Sequence, residues 1–385
     1  MSKIKVNSLE GVGASTPAIS IDNASGTCTA NITNNLSNRR LTINGAMEVS
    51  QRGTSTTANG YLIDRFRSNL GGMDQLAFTM SQSTDAPSGF RKSLKFDVTT
   101  AETGGVAADE YGGIRYITES QDVAHLLYGT SAAKTITLSF HVKAYQAGNY
   151  ALNLYMGDSA RVYTTTYTIS QSATWEKKTL TFVGDTGGSE INVDNGHGLY
   201  INWFFAAGTD YTSSSANSNQ WAAFSNAGWA YGQTVDLTNS TNNYFQLTGV
   251  QLEVSDHATD FEHMTFAQEL ALCQRYYYQI APAVAESLIG NTVNPDGGAD
   301  ICTIRMPVEM RIEPDLVVSD FSNAFRLYAS AGTRNPSTFI LNTGVGSTKS
   351  VQISVSGGTS GGVGFLRLYD SSGGVYATVA LNAEL

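Results

Sequence analysis

The chain has 385 residues, long enough for two or three domains that each bury a core. Asp and Glu outnumber Lys and Arg by 33 to 23, and the resulting net charge of -10 excludes a surface built to track nucleic-acid phosphates. Only 15% of residues are charged while Gly (38) is abundant, a neutral, turn-rich composition of the kind found in secreted or virion-surface β proteins. Cys28, Cys273 and Cys302 stand far apart without metal-ligand spacing and read as buried thiols. The opening MSKIKVNSLEG lacks the apolar core of a signal peptide, and the most apolar run, 199–208, is too short to span a bilayer. A soluble chain made in a cytoplasm, without membrane insertion, is expected.

In residues 1–40, short apolar alternations (Ile4/Val6, Ile19/Ile21, Ala30/Ile32) are separated by Gly-, Ser- and Asn-rich turns. So little apolar surface cannot order itself against chain entropy. The segment reads either as a floppy arm or as one that folds against another chain. Arg39-Arg40 reads as a solvated linker. From Leu41 the β pattern is continuous to about residue 263. TITLSFHV carries Ile136, Leu138, Phe140 and Val142 on one face, and YALNLYM carries Tyr150, Leu152, Leu154 and Met156. Both read as half-buried strands with one wet face, on which His141 falls. Turn clusters at 146–149 and 185–188 divide the strands, and the absence of intervening helices indicates an antiparallel β-sandwich, a jelly roll.

In YFQLTGVQLEV the apolar set passes from Phe245 and Leu247 to Val250, Leu252 and Val254, so parity switches at Gly249. A β-bulge there is the simplest solution. A helix follows over 264–279: Thr265 is the N-cap, Gln268 completes a capping box, and Glu269 lies in the first turn. Phe266, Leu270, Cys273 and Tyr277 form its apolar stripe, which makes it a clasp between two β domains. Strands then resume over 280–385 (Cys302/Ile304/Met306, Val351/Ile353/Val355, Val375/Ala377/Val379/Leu381), a smaller C-terminal β-sandwich.

Catalytic chemistry is scarce. The five histidines form no ligand spacing, and neither a GxSxG elbow nor a phosphate loop is present. Asp109-Glu110 and Asp256/Asp260/Glu262 are candidate acid pairs for glycoside cleavage by composition only, and read first as solvated loop acids. No catalytic residue, metal or cofactor is expected. The functional candidate is aromatic: between Tyr200 and Tyr231 lie Trp203, Phe204, Phe205, Tyr211, Trp221, Phe224 and Trp229. Trp203 and Phe205 share one strand face and read as core. Tyr211, Trp221 and Trp229, with Asp210 beside them, lie in or near a Ser/Asn-rich loop. Flat aromatic faces with polar tips suit pyranose rings, and they equally suit subunit interfaces.

Two stretches carry a family likeness. NRRLTINGAMEVSQRGTS with GYLIDRF (residues 38–66), and GVQLEV through FEHMTFAQELALCQRYYYQ (249–279), together resemble the recurring domain of bacteriophage tail-fibre and minor structural proteins. The resemblance implies a carbohydrate-binding-module-like jelly roll in a virion fibre. It further implies a homotrimer whose N-terminal arm attaches to other virion proteins and whose sandwich contacts host cell-surface glycan during adsorption. Jelly rolls of this type often hold a structural calcium, and Asn44 and Glu48 stand in the opening. The acidic partner expected in the last strand is replaced by Thr248-Gly249-Val250, so no metal is assigned. The expectation is a structural, non-enzymatic virion protein of the tail. Capsid decoration and a surface-polysaccharide depolymerase are the alternatives.

Overall fold

The computed structural model describes residues 39–102, 104–281, 288–295, 297–318, 325–329, 332–334, 336, 338–342, 346–356, 362–368 and 378–385, with residues 8–9, 19–21, 24 and 28–30 of the N-terminal segment. Ser8–Leu9, Ile19–Ile21 and Cys28–Ala30 pair as a small antiparallel sheet. The attachment role expected of residues 1–40, and the Cys28 side chain, lie outside the described residues. No helix among the described residues is long and apolar enough to cross a membrane.

Twelve strands build two six-stranded antiparallel sheets: β1 (Ser55–Thr56), β2 (Phe66–Gly71), β3 (Ala77–Ser83), β4 (Ser93–Thr100), β5 (Tyr111–Glu119), β6 (Ile136–Ala144), β7 (Gly148–Met156), β8 (Arg161–Ile169), β9 (Glu176–Phe182), β10 (His197–Ala207), β11 (Trp221–Ala223) and β12 (Tyr244–Glu253). One sheet runs β11-β8-β7-β10-β5-β2 and the other β9-β6-β12-β4-β3-β1. Counting β4–β10 and β12 as first to eighth, the second sheet reads sixth-third-eighth-first and the first reads fifth-fourth-seventh-second. That order is the double Greek key of a jelly roll.

Alternation fills the space between the sheets. Leu152, Leu154, Ile201, Trp203 and Phe205 meet Leu138, Phe140, Phe245, Leu247, Val250 and Leu252, all buried. Trp203 and Phe205 are core, as expected; the Trp203 ring meets Phe140 edge-on at 5.8 Å. The parity switch in β12 is a bulge: Thr248 opposes His141 and Gln251 opposes Ser139, with Gly249 at φ +63°. A Cβ there would stand 2.6 Å from Phe90 and 2.8 Å from His141.

The wet faces expected on β6 and β7 are in fact largely covered. Over β6 and β12, residues 255–263 bury Thr137, Ser139, Gln251 and Glu253. There Thr137 Oγ1 donates to Ser255 O (2.9 Å), and Glu253 accepts from Thr259 N (2.8 Å) and Oγ1 (2.7 Å). His141 is half-buried against Phe90, and burial, then Lys177, lowers its pKa. Over β7 and β10, residues 208–232 bury Ala151 and Asn153.

Helix α1 (Phe266–Gln274) begins at the expected capping box: Thr265 N–H donates to Gln268 Oε1 (3.0 Å), and Gln268 N–H to Thr265 Oγ1. The apolar stripe is only partly used. Cys273 is buried, but Phe266 is 55% exposed. The helix is seated by charge instead, its buried Glu269 accepting from Asn44 N (2.8 Å) and from the Arg40 guanidinium. Arg40, expected in a solvated linker, is therefore buried in an ion pair, because its partner is 229 residues away in sequence. The helix stops at Gln274 rather than 279, since Tyr277–Ala281 has become a strand.

That strand, β13 (Tyr277–Ala281), opens the C-terminal region. It is followed by β14 (Leu288–Val293), β15 (Asp300–Arg305), β16 (Asp315–Val318), β17 (Phe325–Ala329), β18 (Gly332–Arg334), β19 (Phe339–Leu341), β20 (Ser350–Val355), β21 (Val363–Leu368) and β22 (Val379–Asn382). Sheets β13-β22-β16 and β18-β17-β21-β14-β15-β20-β19 share one core around Cys302, Ile353, Leu366 and Leu381. Cys273 and Cys302 are buried free thiols, and burial pushes Cys302 up to about 11. Charged groups join this region to the jelly roll. Arg65 and Arg52 hold Glu384, Arg275 forks onto Glu119 (2.6 and 2.7 Å), and the Arg65 guanidinium lies 3.4 Å from the Tyr276 ring centroid.

Candidate functional site

The outward residues of the first sheet form two cross-strand rows. In the first, Arg67 opposes Arg115, Arg115 opposes Asn202, Asn202 opposes Asn153, and Asn153 opposes Thr164. Its centre is a hydrogen-bond chain: Arg115 Nε donates to Asn202 Oδ1 (2.6 Å), Asn202 Nδ2 to Asn153 Oδ1 (2.7 Å), and Asn153 Nδ2 to Trp229 O (2.6 Å). Buried amides are tolerated there because each finds a partner. In the second row Tyr155 opposes Tyr200, their ring centroids 5.2 Å apart.

Residues 208–232 roof part of this face. Ala230 N–H donates to Tyr211 O (2.9 Å) and Ser214 N–H to Ala227 O (2.8 Å). Asn217 Nδ2 reaches both Thr164 Oγ1 (2.7 Å) and Gly228 O (2.8 Å). Gly228 packs so closely that a Cβ would meet Asn217 Oδ1 at 2.0 Å. The roof meets β5 at Tyr111, through Tyr211, and leaves an open groove of about 340 Å³ between Tyr111, Arg115, Tyr155, Tyr200, Tyr211, Phe224, Asn226 and Trp229. Its rings brace one another edge-to-face: Tyr155–Trp229 at 5.5 Å, Tyr155–Phe224 at 5.6 Å, Phe224–Trp229 at 5.1 Å and Tyr111–Tyr211 at 4.9 Å. Such packing holds the rings rigid, so a ligand meets them at little entropic cost.

Polar groups punctuate the apolar floor. Tyr200 Oη lies 2.5 Å from His197 Nδ1, and burial foremost raises the Tyr200 pKa. Tyr211 Oη donates to Asp109 O (3.3 Å), and burial, then Tyr111, Asp109 and Asp210, raises its pKa. Both phenols stay protonated at neutral pH, donors as well as acceptors. A broader hollow on the C-terminal sheet lies between Val293, Tyr328, Val363 and Phe365, and none of its lining among the described residues is charged.

Of the residues singled out in sequence, Tyr211 and Trp229 line the groove. Trp229 is only 7% exposed and serves as foundation beneath Tyr155 and Phe224. Asp210 is exposed in the turn Thr209–Thr212, beside Tyr211 but outside the groove lining. Trp221 lies elsewhere: β11 pairs with β8 at the sheet edge, and the indole packs on Tyr128 and Tyr163, its Nε1 donating to Val183 O (2.8 Å). Tyr111, Arg115, Tyr155, Tyr200 and Phe224 were not singled out as site residues. The parity of YALNLYM, which sets Tyr155 opposite to the core positions, was the available signal for one of them. Asn44, placed in the opening by the family likeness, spends its amide on Val49 and Asp64 backbone. Glu48 pairs with the exposed Arg91. Three of the acids weighed for cleavage are engaged: Glu110 accepts from Ala107 N, Asp256 from His257, and Glu262 from the distant Arg39 and Arg40 N–H.

No family model and no curated protein matches the chain. Among solved structures, it is similar to the enzymatically active domain of tailspike protein 4 of bacteriophage CBA120, at 12% identity and TM-score 0.30, over 56% of this chain and 21% of that one. The chain thus spans about a fifth of that protein. It is also similar to the family 11 carbohydrate-binding module of Clostridium thermocellum in complex with a β-1,3-1,4-mixed-linked tetrasaccharide (12% identity, TM-score 0.27, 55% of this chain and 98% of that one). A third likeness is to the C-terminal family 22 module of Clostridium thermocellum Xyn10B (12%, 0.29, 53% and 99%). Scores this low decide nothing about the ligand; the jelly roll rests on the strand order itself.

Proposed function

We propose that this chain is a non-enzymatic, glycan-binding structural protein of a tailed-phage virion, a tail-fibre or spike subunit that contacts host surface glycan. The observation that carries the glycan reading is the groove: a rigid floor of Tyr155, Tyr200, Phe224 and Trp229, with Arg115, Asn226 and the phenol hydroxyls at hydrogen-bonding positions. Apolar faces stack on pyranose rings while the polar tips take up the sugar hydroxyls. The two motif stretches at 38–66 and 249–279 support the virion setting. Each copy binds weakly, and display on a homotrimer raises the avidity without new contacts.

A glycan array and a host-cell binding assay, run on the purified oligomer, test this. The account expects binding that Tyr155→Ala/Phe224→Ala weakens at least tenfold and that Tyr145→Ala, an exposed aromatic away from the groove, leaves intact. No binding by the folded oligomer overturns the glycan reading in favour of capsid decoration. Release of sugar from the glycan overturns the non-enzymatic one. A stable monomer by solution mass measurement removes the trimer.

A further inference from the structure

We propose that Arg67 and Arg115 form an anion subsite at the β2 side of the groove, and that the glycan bound there is acidic, carrying a carboxylate, sulfate or phosphate on its sugar ring. The inference rests on the glycan reading above and names the class of glycan.

The two arginines stand directly opposite each other on adjacent strands, facing the same way. Like charges so placed repel and cost stability. With 33 acids against 23 bases the chain has carboxylates to spare for neutralising such a pair, yet none among the described residues pairs with either arginine. Arg40, Arg52, Arg65, Arg161 and Arg275 each hold a carboxylate. Arg67 and Arg115 have no ion pair among the described residues. Arg115 spends only Nε, on Asn202, and Arg67 only Nε, on Ser68 O at 3.3 Å. The nearby acids do not fill the gap: Asp109 and Asp210 sit at the Tyr211 end, Asp158 is taken by Ser120 and Asn192, Glu384 is held by Arg52 and Arg65, and on the Arg67 side Leu385 O accepts from Tyr61 Oη (2.7 Å).

The pair is also held in place. Arg115 is anchored through the Asn202–Asn153–Trp229 chain and lies over Tyr200, its guanidinium carbon 5.3 Å from the ring centroid. Arg67 lies at the same distance, 5.3 Å, from the Tyr61 ring. Burial and then the neighbouring Arg67 lower the proton affinity of Arg115, against the opposing pull of Tyr111 and Tyr200. An oxyanion between the two forks relieves that repulsion and accepts charge-assisted hydrogen bonds from unused N–H groups. The whole chain, at net -10, repels polyanions at long range, so a preference for an acidic glycan has to come from this local site.

The test compares four probes on the full-length oligomer: polygalacturonate, its fully methyl-esterified form, dextran sulfate and dextran. The expected result is at least tenfold tighter binding to a charged polymer than to its neutral counterpart, lost in Arg67→Gln/Arg115→Gln. That double variant should keep its fold with little change in thermal stability, because the relieved repulsion offsets the lost Arg115–Asn202 hydrogen bond. Arg115→Lys, which keeps charge but not the fork, should retain part of the preference. Which charged polymer wins identifies the anion. Equal binding to charged and neutral partners overturns the acidic class and leaves glycan binding standing. No binding to any polymer or to a neutral glycan array overturns both. A charge preference that survives in the folded double variant places the anion elsewhere and overturns the subsite.

Discussion

The two outer faces of the jelly roll begin from the same local pattern and end differently. Both sheets alternate apolar and polar residues, and both are covered by a segment folded back over the outer face. Over β6 and β12 the covering segment, 255–263, brings hydrogen-bond partners matched to the polar residues beneath it, and the face is sealed by Glu253, Gln251 and Thr259. Over β7 and β10 the segment 208–232 satisfies Asn153 and Thr164 but stops before Arg115 and Arg67. One face became a second core of polar contacts. The other kept an open aromatic groove with uncompensated positive charge. Function on a sheet face is thus decided by how far the covering loop reaches.

The largest effect should come from unsealing the closed face. Glu253→Ala strands the N–H and Oγ1 donors of Thr259 in a buried site and removes one acceptor of Gln251, and a loss of roughly 4 kcal/mol is expected. Chemical denaturation measures it; glycan retention by the folded fraction should be unchanged.

Asp64 lies under neither face and supplies a reference for buried charge. Burial raises its pKa from 3.8 to about 6, against the opposing pull of Arg52. Between those values the folded state binds the extra proton, so this group's contribution falls as pH rises from about 4 to about 6. The loss approaches roughly 3 kcal/mol. Stability against pH should show this downward component in the parent chain and not in Asp64→Asn.

A matched pair of glycine substitutions sharpens the contrast. Gly249→Ala forces a side chain into a left-handed position against His141 and Phe90, and Gly228→Ala drives a methyl into Asn217. Each should cost roughly 2 kcal/mol, but only Gly228→Ala, which lifts the roof of the groove, should weaken glycan retention. The smallest stability effect belongs to Phe224→Ala: a ring already 42% exposed should cost about 1 kcal/mol or less while lowering glycan affinity severalfold.

Much of the frame was legible because it depends on neighbours in sequence. The strand in TITLSFHV, the parity switch at Gly249 and the Thr265/Gln268 capping box are local signals, and each element appears where expected, although the polar face of that strand is covered rather than wet. Trp203 and Phe205 were readable as core for the same reason. What escaped is set by register between distant strands. Arg67, Arg115, Asn202 and Asn153 form one row only after β2, β5, β10 and β7 have paired. Arg40 looked solvated because Glu269 is far along the chain, and Trp221 looked like a loop aromatic because β11 is a three-residue edge strand. The Tyr211 to Trp229 stretch was found by its aromatic density, yet density could not separate a platform from its foundation.

Hydrogen-exchange footprinting of the oligomer, with and without host surface glycan, tests the central claim most directly. The account predicts added protection in 208–232 and in the strands at 111–117 and 197–204, with 255–263 unchanged. Protection confined to 255–263 or to the C-terminal sheets would contradict it.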